Sequence, residues 1–250
     1  MIRMSVNRIL PLLALLFFLT SCSHKYKIEG NSSITGLDGK MLFLKVFQDG
    51  ERVPIDSAEV IHGFFKMNGP VDSAMMVTLY MGQEGIMPLV LENGKIEVTI
   101  SVSQLSAKGT SLNDKLYEFI NKRNALEVKI EELERKEARM VLDGADLEDV
   151  HQALSKESAT LVKEMNDYVR QFITDNFENV LGPSVFMMMC STLPYPVMTP
   201  QIEEIMKTAP LSFKENKQVK NFLTKAKENM KLLEEQRRMR QNMVSGEETR

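Results

Sequence analysis

Hydrophobic positions follow two different periods along the chain, and the period changes near residue 109. Before this point, short apolar runs alternate with polar residues, and residues 95–102 alternate strictly, which puts four branched side chains on one face of a strand. Residues 40–47 are apolar at six of eight positions, which is typical of a strand covered on both faces. Three further segments have the length and composition of strands, namely residues 64–67, 75–81 and 86–91.

Turn signals separate these segments. The pairs Asp38-Gly39, Asp49-Gly50 and Asn93-Gly94 supply the positive φ angles that tight hairpins require, and Asn68-Gly69-Pro70 predicts a further turn. About seven strands in roughly 80 residues predict an antiparallel β-sandwich or open barrel. We assign this domain to residues 22–108.

Beyond Gly109 the apolar positions recur at intervals of three and four, which predicts amphipathic helices. The first predicted helix begins at Ser111 and ends at Asp143-Gly144, where glycine suits the position after a helix. Asp146 is the predicted N-cap of a second helix, whose apolar face continues to Ile173. Two such helices joined by a short turn predict a long antiparallel helical hairpin.

Two later cap signals predict further helices. Thr199 precedes a proline at the first helical position, and Ser212-Phe213-Lys214-Glu215 has the form of a capping box. The α-helical region is therefore expected to cover residues 109–240, followed by a polar, disordered tail over residues 241–250. The fold class is α+β, with the sheets first and the helices second.

The N-terminus has the features of an export signal. Arg3 and Arg8 form a short positive region before an apolar run over residues 9–19, which is too short for a bilayer span of about 20 residues. The following Leu19, Thr20, Ser21 and Cys22 resemble the lipobox of bacterial lipoproteins. We therefore expect a signal peptide over residues 1–21 and diacylglycerol on the Cys22 thiol. The alternative is an ordinary secretory signal with a chance cysteine.

Acyl chains on Cys22 would hold the domain at a membrane, since each buried methylene contributes about 0.8 kcal/mol. Ser23 follows the lipidated position where inner-membrane lipoproteins carry aspartate. By resemblance to other lipoproteins, this predicts an envelope protein at the outer membrane, facing the periplasm.

The net charge and the number of cysteines exclude some classes of function. The 31 Lys and Arg residues against 34 Asp and Glu give a net charge of −3, so nucleic-acid binding is not expected. With Cys22 acylated, Cys190 is the remaining thiol, which excludes an intrachain disulfide and a Cys-x-x-Cys motif. Without a catalytic constellation or a Gly-rich phosphate loop, we expect no enzyme, no cofactor and no metal.

Two local clusters have alternative interpretations. The Asp56-Ser57 pair has the composition of an acid beside a nucleophile, but such pairs more often hydrogen-bond their own backbone. Three consecutive methionines before Cys190 could bind Cu(I), yet methionine more often fills gaps in a core.

The first half also resembles a known family. The residues that carry the resemblance are Tyr26-Lys27-Ile28-Glu29-Gly30, Ile55-Asp56-Ser57-Ala58, Phe64-Phe65-Lys66-Met67-Asn68-Gly69, Leu91-Glu92-Asn93-Gly94 and Lys108-Gly109-Thr110. Together they resemble a lipoprotein domain of unknown function from Gram-negative bacteria, which commonly precedes a thioredoxin-like disulfide reductase domain. The resemblance covers about residues 24–120 and implies location and fold. Here no Cys-x-x-Cys follows Arg240, so the redox activity of longer relatives is not implied.

Taken together, the sequence predicts a lipid-anchored, non-enzymatic binding or scaffolding module whose helical hairpin or sheet face contacts a protein partner. The alternative, implied by the resemblance, is an accessory protein of a periplasmic thiol–disulfide pathway without a redox site of its own. The heptad-like stripe of the first helix could pack within one chain or against a second copy, so the oligomeric state stays open.

Overall fold

The computed structural model describes residues 24–48 and 50–247, with side chains as far as Asn242. The chain divides into two compact units, and the boundary lies between Thr110 and Ser111. The predicted signal peptide and the lipobox residues Leu19, Thr20, Ser21 and Cys22 lie outside the described residues.

Over its described residues, the first unit consists of eight strands and a short 3-10 helix, Thr35–Leu37. The strands are β1 (Lys25–Ser32), β2 (Met41–Gln48), β3 (Glu51–Glu59), β4 (Phe64–Pro70), β5 (Met75–Met81), β6 (Glu84–Leu91), β7 (Gly94–Ile100) and β8 (Leu105–Lys108). They form two four-stranded sheets with the orders β4-β1-β7-β8 and β3-β2-β5-β6. We call these sheet A and sheet B.

Neighbouring strands pair antiparallel, except that β1 and β7 pair parallel in sheet A. Alternate side chains point inward from both sheets, and the largest fully buried ones include Ile28 and Ile96 of sheet A and Leu42 and Leu79 of sheet B. Over the described residues the sheets do not close into a barrel. The predicted α+β class, with antiparallel-rich sheets followed by helices, is confirmed.

The sequence pattern did not predict β3. Its Pro54 interrupts the alternation, and the pairing of β2 with β3 shifts register between Leu44 and Lys45, which accommodates the proline on an edge strand.

The expectation that β2 is covered on both faces is wrong, because Phe47 is 56% exposed on the outer face of sheet B.

Gly69 does not form a turn, as the Asn-Gly-Pro signal had suggested, but lies within β4 opposite Tyr26 of β1. A Cβ atom at Gly69 would lie 2.7 Å from the Tyr26 hydroxyl oxygen, so glycine here makes room for the tyrosine ring.

The predicted turns at Gly39 and Gly94 do have positive φ angles, of 72° and 130°. A tight turn at His62-Gly63, where both residues have positive φ, joins Ile61 to Phe64.

Tyr26 also connects the two sheets. Its hydroxyl donates to Asp56 Oδ2 of β3 at 2.7 Å, and the Asp56 Oδ1 atom accepts from the Ser57 backbone N–H at 2.7 Å. Burial, with the Asp56 carboxylate as a second cause, raises the pKa of the Tyr26 hydroxyl above its ordinary value. Tyr26 therefore stays a neutral donor at physiological pH.

The second unit, as far as the structure describes it, consists of six helices. They are α1 (Ser111–Leu142), α2 (Leu147–Asp175), α3 (Leu181–Cys190), α4 (Pro200–Thr208), α5 (Leu211–Lys214) and α6 (Lys217–Glu247). No helix among the described residues has the length and apolar content needed to cross a bilayer.

The predicted helical hairpin is confirmed by two clusters between α1 and α2. Near the open end, the Phe119 ring lies 4.3 Å from the Phe172 ring centroid and 5.5 Å from that of Tyr168. Near the turn, Leu133 of α1 is buried against Val150 and Leu154 of α2. The turn itself contains Gly144 with a φ of 94°, as its position after the helix predicted.

Of the predicted helix caps, two are confirmed and one is wrong. Asp146 accepts from the backbone N–H groups of two first-turn residues, and Thr199 accepts from Ile202 N–H. The Ser212 hydroxyl does not cap a helix but donates to the Glu178 carboxylate. The last helix is capped by Asn216, whose Oδ1 accepts from Gln218 N–H at 3.1 Å. This helix continues to Glu247, whereas the sequence predicted a disordered tail from residue 241.

Replacing Tyr26 with phenylalanine should lower the free energy of unfolding by about 1–2 kcal/mol, because the Asp56 carboxylate loses a buried donor. Asp56→Asn keeps an acceptor oxygen and should lower it less. The measurement is urea unfolding followed by circular dichroism. Tyr195→Phe is the matched control, since that ring is half exposed, and a Tyr26→Phe loss no larger than this control would contradict the role of the bond.

Candidate binding surfaces

The chain is held in place from His24, two residues beyond the predicted lipidation site and immediately before β1 begins. The backbone carbonyl of His24 accepts from Val71 N–H at 3.0 Å, and Lys25 N–H donates to Asn93 Oδ1 at 3.0 Å. The start of β1 is thus held by the end of β4 and by the turn before β7.

Cys190 lies at the end of α3 in the main core of the helical unit. It is 5% exposed and packs among buried residues such as Phe186, Ile205 and Phe213. Desolvation by burial raises the pKa of the Cys190 thiol to about 12, so the sulfur is a neutral thiol at physiological pH. The preceding Met187, Met188 and Met189 are half-buried against the same core, as expected of gap-filling side chains.

The Asp56-Ser57 pair is arranged for structure. Both oxygens of the Asp56 carboxylate accept hydrogen bonds, one from the Tyr26 hydroxyl and one from the Ser57 backbone N–H. The bond to the backbone is the local interaction that the sequence analysis weighed against catalysis.

The three histidines lie apart, since His24 precedes β1, His62 lies in a turn, and His151 on α2 contacts Glu137 at 3.1 Å. Within residues 24–48 and 50–247, no three His, Cys, Asp or Glu side chains are grouped as metal ligands.

A groove of about 1030 Å³ runs between the two helices of the hairpin. Its apolar floor includes Leu133 and Ala138 of α1 and Leu161 of α2. Its rim is charged and carries more cations than carboxylates: Lys129, Arg135, Lys136 and Arg139 against Glu132 and Glu157. We call this feature the hairpin groove.

The cations of the hairpin groove differ in how far they are neutralised. Arg135 forms an ion pair with Glu131 at 2.9 Å, one helical turn away. Lys129, Lys136 and Arg139 form no ion pair within the part of the chain that the structure describes, and all three are exposed. The groove thus combines an apolar floor with three positive charges that are free to meet carboxylates of another molecule.

The outer face of sheet A is charged but internally paired. Glu29 of β1 accepts from Lys27 Nζ at 2.8 Å and from Lys95 Nζ of β7 at 2.9 Å. These hydrogen bonds lower the pKa of the Glu29 carboxyl to about 2. Lys95 also contacts Glu97 at 2.9 Å. Because the group is exposed, we regard this network as a solvated surface.

The outer face of sheet B is different, because its cations lie on aromatic rings. Lys45 Nζ is 4.8 Å from the ring centroid of Tyr80, and the Arg52 guanidinium carbon is 5.5 Å from the same centroid. Lys45 Nζ also donates to the Gly82 carbonyl at 3.0 Å. Among the described residues neither cation has a carboxylate as an ion-pair partner.

Sequence reasoning missed Lys45, Arg52 and Tyr80 as a group. They belong to three strands, and only the pairing Phe47↔Arg52 together with Phe43↔Tyr80 brings them to one face. The available signal was the alternation of Met41, Phe43, Lys45 and Phe47 within one strand, which we had assigned to burial.

Cys190 should resist thiol reagents in the native protein. With Cys22→Ser, Cys190 is the sole cysteine, and we expect the disulfide reagent DTNB at pH 8 to label it far more slowly than in urea. Because the folded thiol has a pKa of about 12 and the unfolded thiol ionises near 9, the free energy of unfolding should be unaffected below pH 9 and fall between pH 9 and 12. Rapid labelling of the native protein at pH 8 would contradict this burial.

Comparison with known protein families identifies the first unit in part. Residues 26–116 match the family model of a domain of unknown function, DUF4369. This range covers the two-sheet unit and the first residues of α1. No curated protein matches the chain. The sheet unit thus has the sequence features of a DUF4369 domain.

Proposed function

We propose that this protein is a lipid-anchored protein of the bacterial cell envelope that binds a protein partner and catalyses no reaction. Diacylglycerol on Cys22 would hold it at the outer membrane, with its body in the periplasm. The observation that carries the binding role is the hairpin groove, where three unneutralised cations border an apolar floor.

The chemistry of the hairpin groove suits an extended or helical peptide segment that has both apolar and acidic side chains. Leu133 and Leu161 would bury the apolar side chains, which supplies the affinity. Lys136 and Arg139 lie three residues apart on one helix and would meet carboxylates at the rim, which favours the orientation and the rate of association.

The anchoring part of the proposal is supported by the lipobox and by the position at which the chain begins β1. Because His24 and Lys25 are hydrogen-bonded to the body of the sandwich, the tether between Cys22 and the folded domain is very short. An acylated Cys22 would therefore hold one defined end of the sheet unit against the bilayer.

The second candidate is an accessory role in periplasmic thiol–disulfide exchange. It is motivated by the resemblance to a domain that commonly precedes a thioredoxin-like domain. The buried Cys190 thiol, with its raised pKa, favours a version in which this chain positions a redox partner and does not exchange disulfides itself. If so, the segment bound in the hairpin groove would belong to a thiol oxidoreductase.

The anchor is tested by expressing the full chain in a Gram-negative bacterium and analysing it by mass spectrometry. We expect the new N-terminal residue to be Cys22 carrying diacylglycerol, and Cys22→Ser to move the protein from the membrane to the soluble fraction. Ser23→Ala is the control and should leave the protein on the membrane. An uncleaved leader, or an unmodified Cys22, would refute this part of the proposal.

The hairpin groove is tested by photo-crosslinking in intact cells. A photoreactive residue at Ala138, on the floor of the groove, should give one discrete adduct with an envelope protein. The pair Lys136→Glu and Arg139→Glu should reduce that adduct by roughly tenfold, since rim charges control association.

Lys156→Glu provides a matched control for this experiment. Lys156 is exposed on α2 and is not part of the groove lining, so its reversal should leave the adduct unchanged. An adduct that is equally strong in both variants, or absent at Ala138, would count against the groove. Identification of the adduct as an oxidoreductase would favour the second candidate.

A further inference from the structure

One side of α1 carries charged residues at intervals of three and four along the hairpin groove. Four of them, Lys129, Glu132, Lys136 and Arg139, line the groove. Asp143 continues the same spacing, and its backbone N–H donates to the Arg139 carbonyl at 2.9 Å, as in the helix itself. We call these five residues the charged stripe. Residues at this spacing lie on one side of a helix, so the stripe is a single row about 21 Å long.

The charges of the stripe are not neutralised within their own chain. Its three cations form no ion pair with another described residue, as shown above for the groove. The same holds for the two carboxylates, Glu132 and Asp143, and both are exposed. Opposite charges on a second surface could therefore approach every member of the stripe.

The order of the charges is complementary to itself in the antiparallel direction. Along α1 the order is positive, negative, positive, positive and negative. When a second copy lies antiparallel, with both Lys136 residues near a two-fold axis, Asp143 lies opposite Lys129 of the second copy. Arg139 then lies opposite Glu132 of the second copy. Symmetry makes each of these favourable pairs occur twice, whereas the unfavourable pair of Lys136 ammonium groups occurs once.

Two exposed apolar side chains follow the same alignment. Val128 is 51% exposed and Leu142 is 85% exposed, and each lies one residue before an end of the stripe. In the antiparallel arrangement, Leu142 lies opposite Val128 of the second copy. Arg135 lies midway between them and is already paired with Glu131 of its own helix at 2.9 Å. Burial of the apolar pair would add attraction at both ends of the row of charged contacts.

We propose that the hairpin groove binds the helical hairpin of a second copy of this chain, with the two α1 helices antiparallel and their charged stripes in contact. The inference deepens the proposed function because it names the occupant of the groove, and it rests on the groove being a protein-binding site. The contact extends over about four turns of α1. This is small for a permanent dimer, so we expect a dissociation constant of roughly micromolar size.

Charge reversal tests the pair at the end of the stripe. We use the full chain with Cys22→Ser, so that acyl chains cannot contribute to association, and measure the dimer Kd by sedimentation equilibrium. Asp143→Lys and Lys129→Asp should each raise the Kd by about tenfold or more, because like charges then lie opposite each other. The double variant restores opposite charges and should return to within about threefold of the parent Kd, which guards against a folding defect in either single variant.

Two further variants give the sign of the effect and a matched control. Lys136→Ala should lower the Kd by about threefold, because it removes the like-charge pair at the axis. Lys156→Glu reverses an exposed cation of α2 that is not part of the groove lining, so it should leave the Kd unchanged. A Kd that rises equally in Lys156→Glu and Lys129→Asp would reflect net charge alone and would contradict the alignment.

The alignment is tested by disulfide cross-linking of the Cys22→Ser protein. A chain with Leu142→Cys mixed with a chain with Val128→Cys should form a mixed disulfide under mild oxidation by copper phenanthroline. Leu142→Cys alone should cross-link far more slowly, because the two Leu142 positions lie about 21 Å apart in this dimer. Cys190 stays in place, since it is buried.

The outcomes separate the inference from the proposed function. If Ala138 captures a different envelope protein and the purified chain sediments as a monomer, the inference is overturned while the binding role of the groove stands. If Ala138 gives no adduct and the chain is monomeric, both fall. A dimer whose Kd is unchanged by Asp143→Lys and Lys129→Asp forms through another surface, and this result would also overturn the inference.

Discussion

The hydrogen bond between Tyr26 and Asp56 fixes how the two sheets are aligned. It joins the first strand of sheet A to the edge strand of sheet B at 2.7 Å, and Gly69 leaves the space in which the tyrosine ring lies. Hydrophobic packing alone is non-directional, so it would allow the sheets to slide against each other. A hydrogen bond from a buried tyrosine to a partly buried carboxylate favours the alignment that satisfies both groups. The alignment of β3 with β1 across the two sheets follows from this bond.

Much of the fold could be predicted from local patterns, because those patterns report the periodicity of one element at a time. The alternation over residues 95–102 predicted β7, and Asp146 and Gly144 predicted the turn of the helical hairpin. The errors occurred where a tertiary contact overrides a local signal. Gly69 lies in a sequence typical of a turn, but it belongs to a strand, where it leaves space for the Tyr26 ring. The Ser212 hydroxyl donates to Glu178 elsewhere in the helical unit, and Asn216 caps the last helix instead.

The binding surfaces were less predictable than the fold, for a physical reason. Lys45 and Arg52 both lie on the ring of Tyr80, and the three residues belong to three different strands. To predict this group one must know how the three strands pair, including the register shift between Leu44 and Lys45 around Pro54. A single-strand pattern cannot show which residue of a neighbouring strand lies opposite. Cys190 was simpler, because its apolar neighbours in sequence already indicated a buried thiol, and its raised pKa is the consequence of that burial. The acylation of Cys22 stays a prediction from the lipobox.

The two units present cations in chemically different ways, and the difference bears on what each can bind. On sheet B, Lys45 and Arg52 lie against the ring of Tyr80, and Lys45 Nζ also donates to the Gly82 carbonyl. In the hairpin groove, Lys129, Lys136 and Arg139 border an apolar floor with no aromatic ring in its lining, which suits carboxylates on a peptide with a defined spacing. A cation that lies on an aromatic ring already has a contact, whereas Lys129, Lys136 and Arg139 form no ion pair among the described residues and stay available to carboxylates.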